Sequence, residues 1–423
     1  MAGRIVAVVP FGARVAGGQS TDRERRPGAW ARQIARRLVE HFPQDSGVEL
    51  RPVFLVTVPG ASDDARSGAA GEPGYLIFGS TPDPALASEY ARSLEAGHVL
   101  TGTYHESGAE RRLDVSLVDA ATATITASLD HTIGAGELQL AEGELSGWLA
   151  SALGVSARSY LRDPPVGNED AYAALLEAMD AEVDVALLRT GDERAARGAL
   201  ETASSAYARA AQADPSSTLV EDRILVLGAT AIEHDEQAVV MPALEALSEA
   251  RPSSWRAHYM LAEVRRTGGD TTGAVVAFEH SDALQPLRDP DLLSLARLYA
   301  ASGATASAVS RLRRVVQKGS DPGAMASARR LLLSLQHPEL ERALEEAGRI
   351  AVEGDLARSA EAEAGIRRVL AVAPDIWEAH FGLGLLALQR GDAASAHAAF
   401  ERARELNPAS EMLLSQLAPR RDA

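Results

Sequence analysis

The sequence predicts an α/β domain with a mixed sheet, followed by an all-α array of helix hairpins. Three observations carry this. Residues 4–155 mix apolar runs of strand length with helical stripes. From Asn168 onward the apolar spacing is helical throughout. Within that second part, distant segments repeat the same residues at the same offsets.

A chain of 423 residues is too long for one ordinary core, so several domains, or a domain plus an array, are expected. Hydrophobic residues make up 46% and aromatics only 4%, a balance that suits closely packed helices better than a large β-sandwich. The absence of cysteine excludes disulfides, thiol catalysis, thiolate zinc sites and iron–sulfur clusters. Lysine occurs once, at Lys318, so Lys-dependent sites have a single candidate. A net charge of −17 argues against nucleic acid and anionic membranes as partners. The start, Met1-Ala2-Gly3-Arg4, lacks the regions of a signal peptide, and no stretch is long and apolar enough to span a bilayer. A cytoplasmic protein without membrane insertion is expected.

The α/β domain is assigned to residues 1–163. Ile5-Val6-Ala7-Val8-Val9-Pro10-Phe11 reads as a buried strand. Gly12 to Gly28 reads as a polar, glycine-rich loop. Trp30, Ile34, Leu38 and Phe42 recur every four residues and give the stripe of an amphipathic helix. Val48 to Val58 is a second strand, Gly60 to Gly74 a loop, and Tyr75 to Phe78 a short apolar piece. Asp83 to Glu95 is a helix with Pro84 in its first turn, where a missing N–H costs nothing. His98 to His105 opens a three-stranded meander with one apolar face. Leu113, Val115 and Leu117 alternate with polar residues, as do Ile125, Ala127 and Leu129. Residues 136–153 form a closing helix. Asp163-Pro164-Pro165-Val166-Gly167 breaks the chain, and the boundary is placed there.

The array, residues 168–423, is identified by self-similarity. Trp255-Arg256-Ala257-His258-Tyr259 matches Trp377-Glu378-Ala379-His380-Phe381. Each is followed by a Gly-Asp turn, Gly269-Asp270 and Gly391-Asp392. Then Ala274/Ala396, Phe278/Phe400 and Pro286/Pro408 fall at identical offsets. Starts at Glu221, Trp255 and Asp289 lie 34 residues apart. The first of these carries Leu227-Gly228 and Pro252. The second carries Leu261-Ala262 and has Ser281 at its second small position. The third carries Leu295-Ala296, Tyr299, Gly303 and Ala308. The unit from Trp377 carries Leu383-Gly384, Gly391, Ala396, Phe400, Ala403 and Pro408. An earlier unit has Gly198, Ala203, Tyr207, Ala210 and Pro215 in its second helix and a lengthened first helix near Gly191-Asp192. Residues 323–376 are helical but irregular, with Pro338 and Gly354 as breakers. Five to six repeats are expected, each unable to bury its apolar face alone.

This pattern resembles the tetratricopeptide (TPR) family, whose repeat of about 34 residues carries a Leu-Gly pair, small residues, a large residue and Pro in order. The resemblance implies a superhelical solenoid that binds proteins. Residues 4–155 look like the TolB amino-terminal-type domain found before such arrays in many bacterial regulators. The matching segments are Ile5–Phe11, His98-Val99-Leu100-Thr101-Gly102-Thr103-Tyr104, Arg112 to Ala120 and Leu149 to Val155. Two departures are visible. The turn after Asp119, which usually carries Gly, has Ala123 near that place. The chain also begins directly at the first strand, without the effector domain that many relatives carry, so output is expected to come from a partner.

Chemical motifs are sparse. Gly12-Ala13-Arg14-Val15-Ala16-Gly17-Gly18 lacks both the Gly-Lys-Ser/Thr ending of a P-loop and dinucleotide spacing, and reads as a plain loop. Gly68, Gly71 and Gly74 follow no strand and read as a linker. Arg23, Arg25, Arg26, Arg32, Arg36 and Arg37 form a basic cluster. Arg36 and Arg37 are expected to face solvent, or to dock an acidic partner that could be the chain's own array. Glu233-His234-Asp235-Glu236 sits on a turn whose adjacent side chains do not converge on one metal. His258 and His380 share one repeat position, which argues for packing at the hairpin crossing. No nucleophile elbow and no H-E-x-x-H helix is found. No enzyme activity, cofactor or metal is therefore expected.

The expected function is a non-enzymatic bacterial scaffold or regulatory adaptor. By the resemblance, its binding face comes from the first helix of each hairpin. That face comprises Arg256, Tyr259, Glu263 and Arg266, then Leu293 and Arg297, then Phe381, Leu385 and Gln389. The mixture suits a partner peptide or helix, with self-association left open. The Lys/Asn clamp of chaperone-binding relatives is absent. A second reading is a ligand or nucleotide sensor, in which the α/β domain binds a small molecule and the array transmits the signal.

Overall fold

The computed structural model of the protein describes residues 4–15, 21–42, 46–53, 84–155, 167–189 and 191–410. They fall into two compact units, Met1–Val264 and Arg265–Ala423.

The first unit opens with β1 (Arg4–Val8), β2 (Gly12–Val15), α1 (Thr21–His41), β3 (Val48–Pro52) and α2 (Pro84–Ser93). It continues with β4 (His98–Ser107), β5 (Glu110–Asp119), β6 (Thr124–Ile133) and α3 (Leu140–Ala152). The sheet order is β3-β1-β4-β5-β6; β1 runs parallel to both β3 and β4, and β4, β5 and β6 form the expected antiparallel meander. The crossovers from β1 to β3 and from β3 to β4 run in opposite directions along the sheet. Right-handed connections then place α1 and α2 on opposite faces. Ala7, Val9, Val99 and Val118 pack with Ala87 and Ala91 of α2. Val6 and Val8 are buried as well, which explains why this strand is apolar without alternation.

Several local expectations need correction. The apolar run Ile5–Phe11 is not one strand and Gly12–Gly28 is not one loop. The chain bends at Pro10, which has no N–H to donate, and β2 then continues along the same edge of β4. The pairing shifts by one residue between Val8↔Leu100 and Gly12↔Thr103. Phe11 covers Gly102, where a Cβ would stand 2.9 Å from the ring, so only glycine fits. Helix α1 already begins at Thr21. In β6 the alternation holds from Ala127 and Leu129, both half-buried, to the buried Ile133, but Ile125 at the start of the strand is exposed. β6 is an edge strand, and an irregularity between Leu117 and Val118 shifts its register. The expected strand end at Val58, the loop Gly60–Gly74, the piece Tyr75–Phe78 and the glycines Gly68, Gly71 and Gly74 lie outside the described residues. So does most of the break Asp163–Gly167. The turn after Asp119 is built by its carboxylate, which accepts from the N–H groups of Ala121 (3.0 Å) and Thr122 (2.8 Å). Ala123 there has φ +54°, the left-handed conformation that glycine adopts at least cost.

The first helices of the array belong to the same unit: α4 (Glu169–Leu188), α5 (Glu193–Ala213), α6 (Thr218–Glu233) and α7 (Gln237–Ala250). Helix α4 docks on α1 and α3 through charge buried between them. Arg37 is 3% exposed and donates from Nε to Glu142 of α3 at 2.7 Å. Tyr172 of α4, fully buried, donates its hydroxyl to the same carboxylate, and the Arg37 guanidinium lies 5.6 Å from the Tyr172 ring centre. Burial pushes the Glu142 carboxyl up from its ordinary range, against the pull of Arg37. Beside it, Arg32 donates from Nε to Asp180 at 2.9 Å, and the Trp30 indole donates to the Ala173 carbonyl at 3.2 Å. Arg111 of β5 pairs with Glu169 at the start of α4. Asp184, one turn beyond Asp180, is pushed up to about 6 by burial and by its neighbour's charge. The reading of Arg37 as solvent-facing is thus wrong, because a second layer, α3 and α4, covers that side of α1. Arg36 remains at the surface, paired with Glu40 at 2.9 Å. The side chains of Arg23, Arg25 and Arg26 lie outside the described residues.

Helix α8 (Trp255–Thr267) spans the division. The second unit continues with α9 (Thr271–Leu284), α10 (Asp289–Ala301), α11 (Thr305–Lys318), α12 (Pro322–Gln336), α13 (Pro338–Glu353), α14 (Ser359–Val372), α15 (Trp377–Gln389) and α16 (Ala393–Leu406). The turn residues act as their chemistry requires. Gly269 (φ +85°) and Gly391 (φ +77°) reverse the chain, and the next residue caps the second helix. Asp270 accepts from the Gly273 N–H at 2.9 Å, and Asp392 from Ser395 at 3.1 Å. The small position of the Leu-Gly pair is a contact. A Cβ at Gly384 would stand 2.4 Å from the Phe400 ring. The irregular stretch 323–376 resolves into a specific pattern. Helix α12 packs beside α10, as one first helix beside another, and α13 packs beside α15 in the same way. Only His337 separates α12 from α13, so two first helices follow each other without a second helix between them.

Replacing Arg37 by Met should cost about 3–5 kcal/mol, because it strands the Glu142 charge in the interior. Adding Glu142→Met should restore a large part of that loss, read as the urea midpoint of the full chain. Ala123→Gly should raise stability by about 1 kcal/mol through relief of the left-handed alanine, with an unchanged denaturant slope.

Candidate partner-binding face

The first helices expose one face each. On α8, Arg256, Tyr259, Glu263 and Arg266 fall at helical spacing on one side. Arg256 pairs with Asp222 of α6 at 2.7 Å. Tyr259 and Glu263 are half-buried and Arg266 is exposed. On α10, Arg297 is exposed, whereas Leu293 one turn earlier is 5% exposed and belongs to the core. On α15, Phe381 is held between rings, 5.4 Å from Phe400 and 6.2 Å from Trp377, and is half-buried. Leu385 packs partly into the hairpin core, and Gln389 donates to the Ala351 carbonyl of α13. Of the nine expected face residues, Leu293 and Phe381 therefore spend most of their surface on packing. Arg256, Arg266 and Arg297 are the three that are exposed.

His258 and His380 behave alike, for a reason the repeat pattern alone does not give. The His258 Nε2 lies 3.0 Å from the Pro252 carbonyl, and the His380 Nε2 lies 2.8 Å from the Pro374 carbonyl. A carbonyl only accepts, so Nε2 carries the proton in both. Each imidazole ties its helix to the proline six residues earlier, and the role is structural. In the segment Glu233–Glu236, Asp235 adopts φ +59° and Glu236 pairs with Arg189 at 2.8 Å. Among the described residues, no group of three or more His, Asp or Glu side chains stands together as metal ligands would.

A pocket of ≈ 340 Å³ opens among the first helices of the second unit. Arg297 of α10, Ser327, Arg330, Leu331 and Ser334 of α12, Glu341 of α13 and Glu378 of α15 line it. Arg330 donates from Nε to Glu341 at 2.8 Å and from Nη1 to Glu378 at 3.4 Å. Burial works against the Arg330 charge, but these carboxylates more than offset it and hold the guanidinium above its ordinary range. Burial pushes the Glu378 carboxyl up. One oxygen of each carboxylate, Glu341 Oε2 and Glu378 Oε2, is buried without a hydrogen-bond partner. Sequence reading missed all of these except Arg297. The signal was present: Ser327, Arg330, Leu331 and Ser334 fall at i, i+3, i+4 and i+7. It was unreadable because the missing second helix breaks the 34-residue register on which the assignment of first helices relied.

The tetratricopeptide repeat family model matches residues 242–283 and 352–411. Among solved structures, YrrB, described as a TPR protein with an unusual peptide-binding site, is 15% identical, with a TM-score of 0.27, covering 50% of this chain and 98% of its own. A tetratricopeptide repeat protein from Parabacteroides merdae is 13% identical, with a TM-score of 0.30, covering 57% and 97%. PilF of Pseudomonas aeruginosa is 19% identical, with a TM-score of 0.28, covering 47% and 96%. No curated protein matches the sequence. The tetratricopeptide repeat model thus falls on two stretches of the run of helices that follows the N-terminal mixed sheet, and on the same Gly-Asp turns and paired helices that repeat along the sequence.

Proposed function

We propose that this chain is a non-enzymatic scaffold or regulatory adaptor of the bacterial cytoplasm, in which an α/β domain over residues 1–163 precedes an array over 168–423 that binds a partner peptide or helix. Tetratricopeptide repeats generally mediate protein–protein interaction, and the repeats are the part of the chain that a family model matches. The observation that carries the proposal is the pocket lined by Arg297, Ser327, Arg330, Leu331 and Ser334. It lies among α10, α12, α13 and α15, all helices that pack as first helices. Its mixture of guanidinium, hydroxyl and aliphatic groups suits a peptide that offers both side-chain and main-chain polar atoms. The α/β domain is read as of the TolB amino-terminal type on the segments Ile5–Phe11, His98–Tyr104, Arg112–Ala120 and Leu149–Val155. No helix among the described residues is long and apolar enough to cross a membrane.

Affinity capture with the full chain tests the face. Tyr259→Ala combined with Arg266→Glu, and separately Arg297→Glu, should each reduce recovery of the wild-type partners about tenfold or more while circular dichroism and melting stay unchanged. The surface variant Arg209→Glu, on a second helix, should capture normally. Unchanged recovery with both face variants would remove the first-helix face from consideration.

A further inference from the structure

Among α12, α13 and α15 one guanidinium serves two carboxylates. Arg330 of α12 donates from Nε to Glu341 of α13 at 2.8 Å, and its Nη2 lies 2.6 Å from the same carboxylate. Glu378 of α15 receives only a longer contact, 3.4 Å from Nη1. A third carboxylate, the exposed Glu345, stands 3.8 Å from Nη2. The second oxygens of Glu341 and Glu378 are buried without a hydrogen-bond partner among the described residues. An ionised carboxylate can only accept, so neither oxygen is satisfied while its group is charged. Protonating one of the two groups removes a charge that is poorly met.

Geometry says which one. Glu341 holds two nitrogens of Arg330 at short range, and Glu378 holds one at long range. The start of α15 works the other way, since a helix N-terminus favours a negative charge. Burial outweighs both that end and the pull of Arg330 and pushes the Glu378 carboxyl up, with the Glu341 charge adding to the rise. The Glu378 side chain is still 21% exposed, so water can deliver and remove the proton. Other charges on the helices around α15 are engaged elsewhere. Glu346 of α13 pairs with Arg349 and Arg358, Glu363 of α14 with Arg367 and Arg390, and Arg402 of α16 with Asp375 and Glu405. His337, between α12 and α13, lies 3.6 Å from Glu339, and Arg297 lines the same pocket from α10.

We infer that Arg330, Glu341 and Glu378 form a proton-operated clasp on the first-helix face. With a proton on Glu378, one guanidinium meets one carboxylate, and α12, α13 and α15 close around it. With Glu378 ionised, water satisfies its charge better than this packing does, and the start of α15 loosens from α12 and α13. Ser327, Leu331 and Ser334 line the pocket from the same helix as Arg330, so the clasp sets how firmly that pocket is held. That the clasp thereby tunes partner binding rests on the groove reading above; the clasp itself does not. The sign follows from linkage. A carboxyl raised in the folded chain contributes stability that is full below its unfolded value, about 4.3, and is lost as pH rises through its folded value.

The test uses the full chain without a partner, so failure of the clasp and failure of the groove reading are told apart. The Glu378 carboxyl is titrated by carbon-13 NMR in glutamate-labelled protein, its signal identified by its loss in Glu378→Gln. Its midpoint should lie at least about one pH unit above 4.3. Glu341→Gln leaves Arg330 to Glu378, and should lower that midpoint by about one unit. The advantage in melting temperature of Glu378→Gln over wild type should grow by about 2 °C between pH 5 and pH 8. Amide exchange at the start of α15 should be slower in Glu378→Gln than in wild type at pH 8, with the difference shrinking at pH 5. The clasp is overturned if Glu378 titrates in the ordinary range, or if Glu341→Gln leaves its midpoint in place. It is equally overturned if the effect of Glu378→Gln on melting is the same at both pH values, which would assign any pH dependence to another group such as His337.

Discussion

Glu142 is the point on which the first unit turns. It is a carboxylate taken almost wholly out of water, and three elements meet to make that tolerable. Arg37 of α1 supplies the countercharge, Tyr172 of α4 supplies a hydroxyl donor, and α3 supplies the carboxylate itself. An ion pair of this kind gives little net stability compared with apolar residues of the same shape. It gives geometry instead, because any arrangement that separates the three helices strands a charge. Trp30 on Ala173, Arg32 on Asp180 and Arg111 on Glu169 extend the same logic along α4. The first helix of the array is therefore fastened to the sheet domain by specific polar contacts, where a purely apolar seam could slide.

The second unit uses a different principle. Its hairpins carry few buried charges and are held by small-against-large packing, as where Gly384 lies under Phe400 and Ser281 fills a second small position with no exposed surface. Such packing repeats as long as first and second helices alternate. Where they do not, between α12 and α13, polar side chains collect on the first-helix side. Arg330 then serves two carboxylates at once. The departure from regularity and the polar pocket have one cause.

Much of the fold was legible because it rests on local chemistry. The 34-residue spacing, the Gly-Asp turns, the Pro breakers and the alternation of Leu113, Val115 and Leu117 each reflect a constraint a few residues long. The proposed binding face was less legible. Arg297 and Arg266 could be placed from helix spacing, but the same spacing also chose Leu293, which the neighbouring helix buries. Spacing says which residues share a face and not how much of that face another helix covers.

By itself the sequence determined the α/β-then-helical order, the 34-residue repeat and its Gly-Asp turns, because these depend on neighbours along the chain. Tertiary structure alone decided that Arg37 is buried, that Ile125 is not, that Gly12–Val15 joins the sheet, and that α12 has no second helix. Each of these depends on what a distant segment covers or leaves open: α3 and α4 over α1, no strand beyond β6 among the described residues, and β4 offering its edge to β2. Burial is a property of pairs of segments, and a single sequence read locally carries only one member of each pair.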